Sequence, residues 1–121
     1  MKRLLFTTLA LVPAVAFAAQ SPSVDGKWQV SANIAGTASE LNCTFTQKDA
    51  VLTGTCVNDQ AQLAITGKVD GKTVTWQFDT QWEGQVLTVI YSGTLDANKI
   101  AGGVDVQPLG VAGEFTATKV N

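Results

Sequence analysis

Residues 62–78 read Gln62-Leu63-Ala64-Ile65-Thr66-Gly67-Lys68-Val69-Asp70-Gly71-Lys72-Thr73-Val74-Thr75-Trp76-Gln77-Phe78. Two runs of alternating apolar and polar residues flank the dipeptide Asp70-Gly71, which is the pattern of two antiparallel strands joined by a tight turn. Taken as a two-residue loop, Asp70-Gly71 sets Ile65 opposite Trp76 and Leu63 opposite Phe78. Side chains in a strand alternate between faces, so this pairing gives the hairpin one apolar and one polar side.

The same reading extends in both directions. A turn at Glu83-Gly84 aligns Trp76 with Tyr91 and Phe78 with Val89, and one at Ala97-Asn98 aligns Leu95 with Ile100 and Tyr91 with Val104. Turns at Asp49-Ala50 and Asp59-Gln60 complete a series in which every register selects the same parity in each shared strand. Gly36 to Ser39 joins the first two strands, pairing Ile34 with Leu41 and Val30 with Phe45, and Pro108-Leu109-Gly110 joins the last two. Eight strands follow, over 27–35, 40–48, 51–57, 62–69, 72–82, 85–95, 99–107 and 112–120, with no helical period after Gly26.

The inner face then collects Trp28, Val30, Ile34, Leu41, Phe45, Leu52, Leu63, Ile65, Val74, Trp76, Phe78, Leu87, Val89, Tyr91, Ile100, Val104 and Phe115, with Ala117 continuing it. The outer face is rich in threonine. One buried face, one wet face and short hairpins define an all-β, antiparallel up-and-down meander, and closing eight strands into a barrel removes both unpaired edges. A flattened two-sheet sandwich of the same strands is the alternative. Gly54, Gly67, Gly93 and Gly102 fall on the inner face, where missing side chains permit sharp coiling.

The register that buries Phe45 also sets Cys43 opposite Cys56 in a non-hydrogen-bonded pair, where cross-strand side chains come closest. A disulfide there closes a short loop and contributes on the order of 3 kcal/mol.

Met1-Lys2-Arg3 and the apolar run from Leu4 to Phe17 form a secretory signal, and Ala16-Phe17-Ala18 places cleavage after Ala18. Residues 1–18 are therefore expected to be a signal peptide of the bacterial kind, and residues 19–121 a single periplasmic or secreted domain of roughly one hundred residues. Loss of Lys2 and Arg3 leaves six basic residues against ten acidic ones, a net charge of −4, with no arginine and no histidine. Such a chain lacks the basic footprint needed for nucleic acid, and no membrane insertion is expected after cleavage.

Catalysis finds little support. Without histidine the Ser-His-Asp and Cys-His arrangements cannot be built. The ten acids of the domain fall on turns or outward positions, so no carboxylate pair faces the interior. Two cysteines without histidine make no ordinary zinc site, and no cofactor is implied. Asn42-Cys43-Thr44 matches a glycosylation sequon by chance in a chain with a bacterial signal.

The aromatic set is the functional candidate. Trp28, Trp76, Phe78, Tyr91 and Phe115 either fill the barrel or line a ligand pocket, and Trp82, beside the Glu83-Gly84 turn, is expected exposed at one rim. The candidate ligand-binding residues are Trp28, Trp76, Phe78, Trp82 and Tyr91. Outward-facing Val51, Val57, Val86 and Ile90 would mark an oligomer surface if they cluster.

Gly26-Lys27-Trp28, Leu52-Thr53-Gly54-Thr55, Ile65-Thr66-Gly67, Thr73-Val74-Thr75-Trp76 and the ending Phe115 to Val120 resemble the strand landmarks of avidin-type and lipocalin-like barrels, in the same order. The resemblance implies an eight-stranded ligand-binding barrel. The biotin-site positions are not retained: Val30, Cys56 and Asn58 stand where polar ligand contacts are expected, and Trp76 alone matches. The chain is also similar to small secreted bacterial barrels with repeated Leu-Thr-Gly and Val-Asp-Gly turns, a family of unknown function. It is more distantly similar to periplasmic metalloprotease inhibitors, whose inhibitory segment would correspond to Gln20 to Asp25. The expectation is a non-enzymatic binding barrel whose partner is a small apolar molecule or another exported protein. The alternatives are an interaction module such as a protease inhibitor, working through a loose segment Gln20 to Asp25 or the rim loops, and a solid-core structural barrel.

Overall fold

The computed structural model describes residues 23–120, so the expected signal sequence lies outside the described residues. Eight strands form a closed antiparallel barrel in sequence order. They are β1 (Gly26–Ile34), β2 (Thr37–Lys48), β3 (Val51–Val57), β4 (Gln62–Asp70), β5 (Thr73–Trp82), β6 (Gln85–Asp96), β7 (Lys99–Gln107) and β8 (Val111–Val120). β8 pairs back onto β1 from Lys27↔Val120 to Ile34↔Gly113, so neither edge is left open and the sandwich alternative does not apply.

Alternation decides which way each residue faces. Trp28, Val30, Leu41, Phe45, Leu52, Ile65, Val74, Trp76, Phe78, Leu87, Val89, Tyr91, Ile100, Val104 and Phe115 are all buried, and Ile34 and Leu63 are partly buried against them. Apart from the Tyr91 phenol and the tryptophan indoles, no residue with a polar or charged side chain is buried among the described residues. Cys43 and Cys56 are directly opposed, with Cα atoms 4.0 Å apart, and form the disulfide inside the barrel wall.

Two registers differ from the sequence reading. β4 and β5 meet through Gly71-Lys72, because Asp70 still pairs with Thr73; Trp76 therefore faces Gly67 and not Ile65. β1 and β2 meet through Ala35-Gly36, so Val30 pairs with Leu41 and Ile34 with Thr37. Both residues of that turn take left-handed φ angles, 53° and 82°, as a type I′ hairpin turn requires. Both shifts are by an even number of residues, so each side chain keeps its face while changing its neighbour.

The two ends of the barrel turn differently. At one end, Ala35-Gly36 and Glu83-Gly84 have both residues left-handed. At the other, Asp49-Ala50, Gly71-Lys72 and Ala97-Asn98 are left-handed only at the first residue. There the carbonyls of Ala50, Lys72 and Asn98 accept the amides of Val69, Leu95 and Lys119 at 2.9, 2.7 and 2.9 Å. These bonds carry the β3–β4, β5–β6 and β7–β8 ladders one pair further, into the turns.

The segment before β1 closes that end. Val24 is fully buried, its amide donating to Gln47 Oε1 at 2.9 Å and its carbonyl accepting from Trp28 Nε1 at 3.0 Å. The Gln47 amide donates in turn to Asp25 Oδ1 at 2.6 Å. The described part of the segment expected to be loose, Ser23 to Asp25, is thus docked against the barrel.

Candidate functional site

The centre of the barrel is filled by rings. Trp76 stacks on Tyr91 with centroids 5.0 Å apart and planes 8° apart, and Phe115 meets both edge-on at 5.1 and 5.2 Å. Phe45 tilts against Trp76 at 5.0 Å. Such offset and edge contacts add to the burial of the rings themselves. The Trp76 indole nitrogen is sealed in this cluster without a hydrogen-bond partner among the described residues.

Above the rings, toward the end opposite Val24, the barrel opens. Along β5 the inner positions run from Trp76, 0% exposed, through Phe78 at 7% and half-buried Thr80 to Trp82 at 52%. A cavity of about 250 Å³ occupies this mouth. Ile34, Leu41, Leu63, Phe78 and Val89 supply its apolar wall, Ser39, Asn58, Gln60, Ala61 and Thr80 its upper part, and Tyr91 also lines it. A small concave site with an apolar wall and a few convergent polar groups is the usual form of a small-molecule pocket. A larger depression, about 480 Å³, is an open groove on the outer wall over Ser31, Asn33, Ala101, Glu114 and Thr116.

Tyr91 is the polar group of the deep part. Its ring is wedged between Trp76, Phe115 and Phe78, the last at 5.8 Å. Burial pushes its pKa up to about 12, so the phenol is neutral at any physiological pH. No side-chain hydrogen bond among the described residues engages its hydroxyl. The loop over the mouth, residues 58–61, is held by Asn58, whose Oδ1 accepts the amides of Gln60 and Ala61 at 2.8 Å each.

The candidate residues thus separate. Phe78 and Tyr91 line the cavity. Trp76 belongs to the packed cluster beneath it, and Trp28 lies at the closed end under Val24, with Lys119 Nζ 6.0 Å from its ring centroid. Trp82 is exposed at the rim, as expected, and is not a lining residue. Ser39, Asn58, Gln60, Ala61 and Thr80 escaped the sequence reading; Thr80 alone carried a signal, its inward parity between Phe78 and Trp82. Val51 and Val57 lie on β3 and Val86 and Ile90 on β6, with two strands between, so the four do not form one patch.

Charge is sorted along the barrel axis. The lysines of the described residues, Lys27, Lys48, Lys68, Lys72, Lys99 and Lys119, all lie in closed-end turns or within two residues of a strand's closed end. Glu40, Asp59, Asp79, Glu83, Asp105 and Glu114 lie in mouth loops or within three residues of a strand's mouth end, and all are exposed. With Asp25, Asp49, Asp70 and Asp96 at the closed end, that half carries a net +2 and the mouth half −6.

No family model matches the chain, and no curated protein is similar to it in sequence.

Proposed function

We propose that this protein is a non-enzymatic binding barrel of an exported compartment, taking a small, largely apolar molecule end-on into its open mouth. The observation that carries this reading is the cavity of about 250 Å³ above Tyr91, with its apolar wall and polar upper part. Export is supported by the leader sequence and by the Cys43–Cys56 disulfide, which suits an oxidising compartment. The absence of histidine and the outward placement of the acids speak against catalysis.

Native mass spectrometry of protein purified gently from its exporting host tests the reading. A one-to-one small adduct is expected, lost in Leu63→Trp, which places an indole in the mouth. A bare mass for the unsubstituted protein, or an adduct that persists in Leu63→Trp, would count against the mouth as the site.

A second reading, an interaction module, draws on Trp82, a large aromatic more than half exposed beside the mouth. Capture of an exported partner that is lost in Trp82→Ala, with the small adduct retained, would favour it.

A further inference from the structure

We infer that the molecule held in the mouth is an amphipathic organic cation, its apolar body in the cavity and its ammonium or guanidinium head among the rim carboxylates. This rests on the reading of the cavity as a small-molecule site. A volume of about 250 Å³ equals that of about eight liquid waters, which suits a body of about ten heavy atoms.

Three observations converge. First, the lining contains no Asp, Glu or Lys, so a charge carried to the floor would lie buried and unpaired, an arrangement that is strongly unfavourable. Glu40 and Asp79 are sequence neighbours of lining residues, yet they face the outer wall, accepting hydrogen bonds from Ser31 Oγ at 3.2 Å and Thr88 Oγ1 at 2.8 Å. The charged end of a ligand therefore stays at the rim. Second, the mouth half carries six exposed carboxylates and no basic residue among the described residues, a one-signed field that draws cations in and repels anions. Third, Tyr91, only 1% exposed, lines the cavity with a hydroxyl that has no partner among the described residues. The hydroxyl is not among the fully buried unpartnered atoms, so it meets the cavity, where a neutral polar atom on the ligand body would bond it.

The test uses three probes of one shape: tyramine, its uncharged alcohol tyrosol, and the anion 4-hydroxyphenylacetate, titrated calorimetrically into the mature disulfide-bonded protein. Tyramine should bind tighter than tyrosol by on the order of tenfold at low ionic strength, the advantage shrinking toward unity above about 0.5 M salt. The anion should bind weakest. Asp59→Asn combined with Glu83→Gln should lower tyramine affinity several-fold, in line with a weakened field, and leave tyrosol unchanged. If tyrosol or the anion binds as tightly as tyramine, the cation inference is overturned while the cavity reading stands. If none of the three binds, the cavity reading falls and takes the inference with it.

Discussion

Trp76 lies directly across the β4–β5 ladder from Gly67, and a Cβ on Gly67 would come within 2.7 Å of the Trp76 Cα and collide with the Thr75 carbonyl oxygen. The two backbones touch because one residue has no side chain, and the indole then turns inward over the gap. The same approach recurs at Phe45↔Gly54, while Gly102, paired with Phe115, is crowded from its other side by the backbone of Ser92 and Gly93. Three of the rings in the central cluster thus sit opposite glycines, which is how a tightly coiled eight-stranded barrel makes room for large aromatics.

Gly67→Ala should therefore cost about 2–3 kcal/mol, since the ladder must spread to admit one methyl group. Gly103 is a control in the same barrel, with only the Gly113 carbonyl near its Cβ position, at 3.7 Å. Gly103→Ala should change stability by less than about 0.5 kcal/mol. Urea unfolding of both variants checks the contrast, and equal effects would contradict it.

The two buried indoles should respond differently to loss of their nitrogens. Trp28 Nε1 donates to the Val24 carbonyl at 3.0 Å, whereas Trp76 Nε1 has no partner. Trp28→Phe leaves that carbonyl unpaired, so it should cost about 1–2 kcal/mol more than Trp76→Phe. Paired denaturation curves measure the difference directly.

Tyr91 is the single tyrosine of the chain, so ultraviolet titration reports it without overlap. Its pKa should lie near 12, raised by burial from an ordinary 10.0. A raised pKa means the folded state holds the proton more tightly. Its contribution is complete below pH 10 and is lost as pH climbs from 10 to 12, a fall of about 2–3 kcal/mol. Unchanged stability across that window would show that the phenol ionises without opposing the fold.

Removing the disulfide with Cys43→Ala and Cys56→Ala should lower unfolding free energy by about 3 kcal/mol through release of the closed loop. The circular-dichroism signature of the barrel should persist at low temperature, because the ladder between β2 and β3 spans seven residue pairs. The midpoint of urea unfolding gives the size of the loss.

What the sequence disclosed was parity. Alternation of apolar and polar residues is insensitive to even slips, so the inner face followed from it. The Cys43–Cys56 pair, by contrast, needed the Asp49-Ala50 register, and the exposure of Trp82 came from its place beside the Glu83-Gly84 turn. Register is a finer quantity that depends on turn conformation. Asp70-Gly71 has the composition of a hairpin loop, yet the glycine takes the first loop position and Asp70 stays in the strand, which carries Trp76 from Ile65 to Gly67. The cavity was less legible than the core. Leu41, Leu63 and Val89 read as ordinary packing residues, and Asn58 and Gln60 as ordinary loop polarity. Their convergence depends on where the central rings stop filling the barrel, which no local pattern encodes. The sorting of charge was present in the chain from the start, with lysines recurring beside alternate turns, but it acquires a direction only once those turns are known to share an end.

The docking of Val24 fixes more than the closure of one end. Lys27 pairs with Val120, so the chain enters and leaves the described barrel on the same side, the side away from the cavity. A copy grafted to a solid support, a bead or a second protein through either extremity stands upright with its opening turned outward. Orientation on a surface is thus written into the strand count, since an even number of antiparallel passes returns the chain to the end where it began.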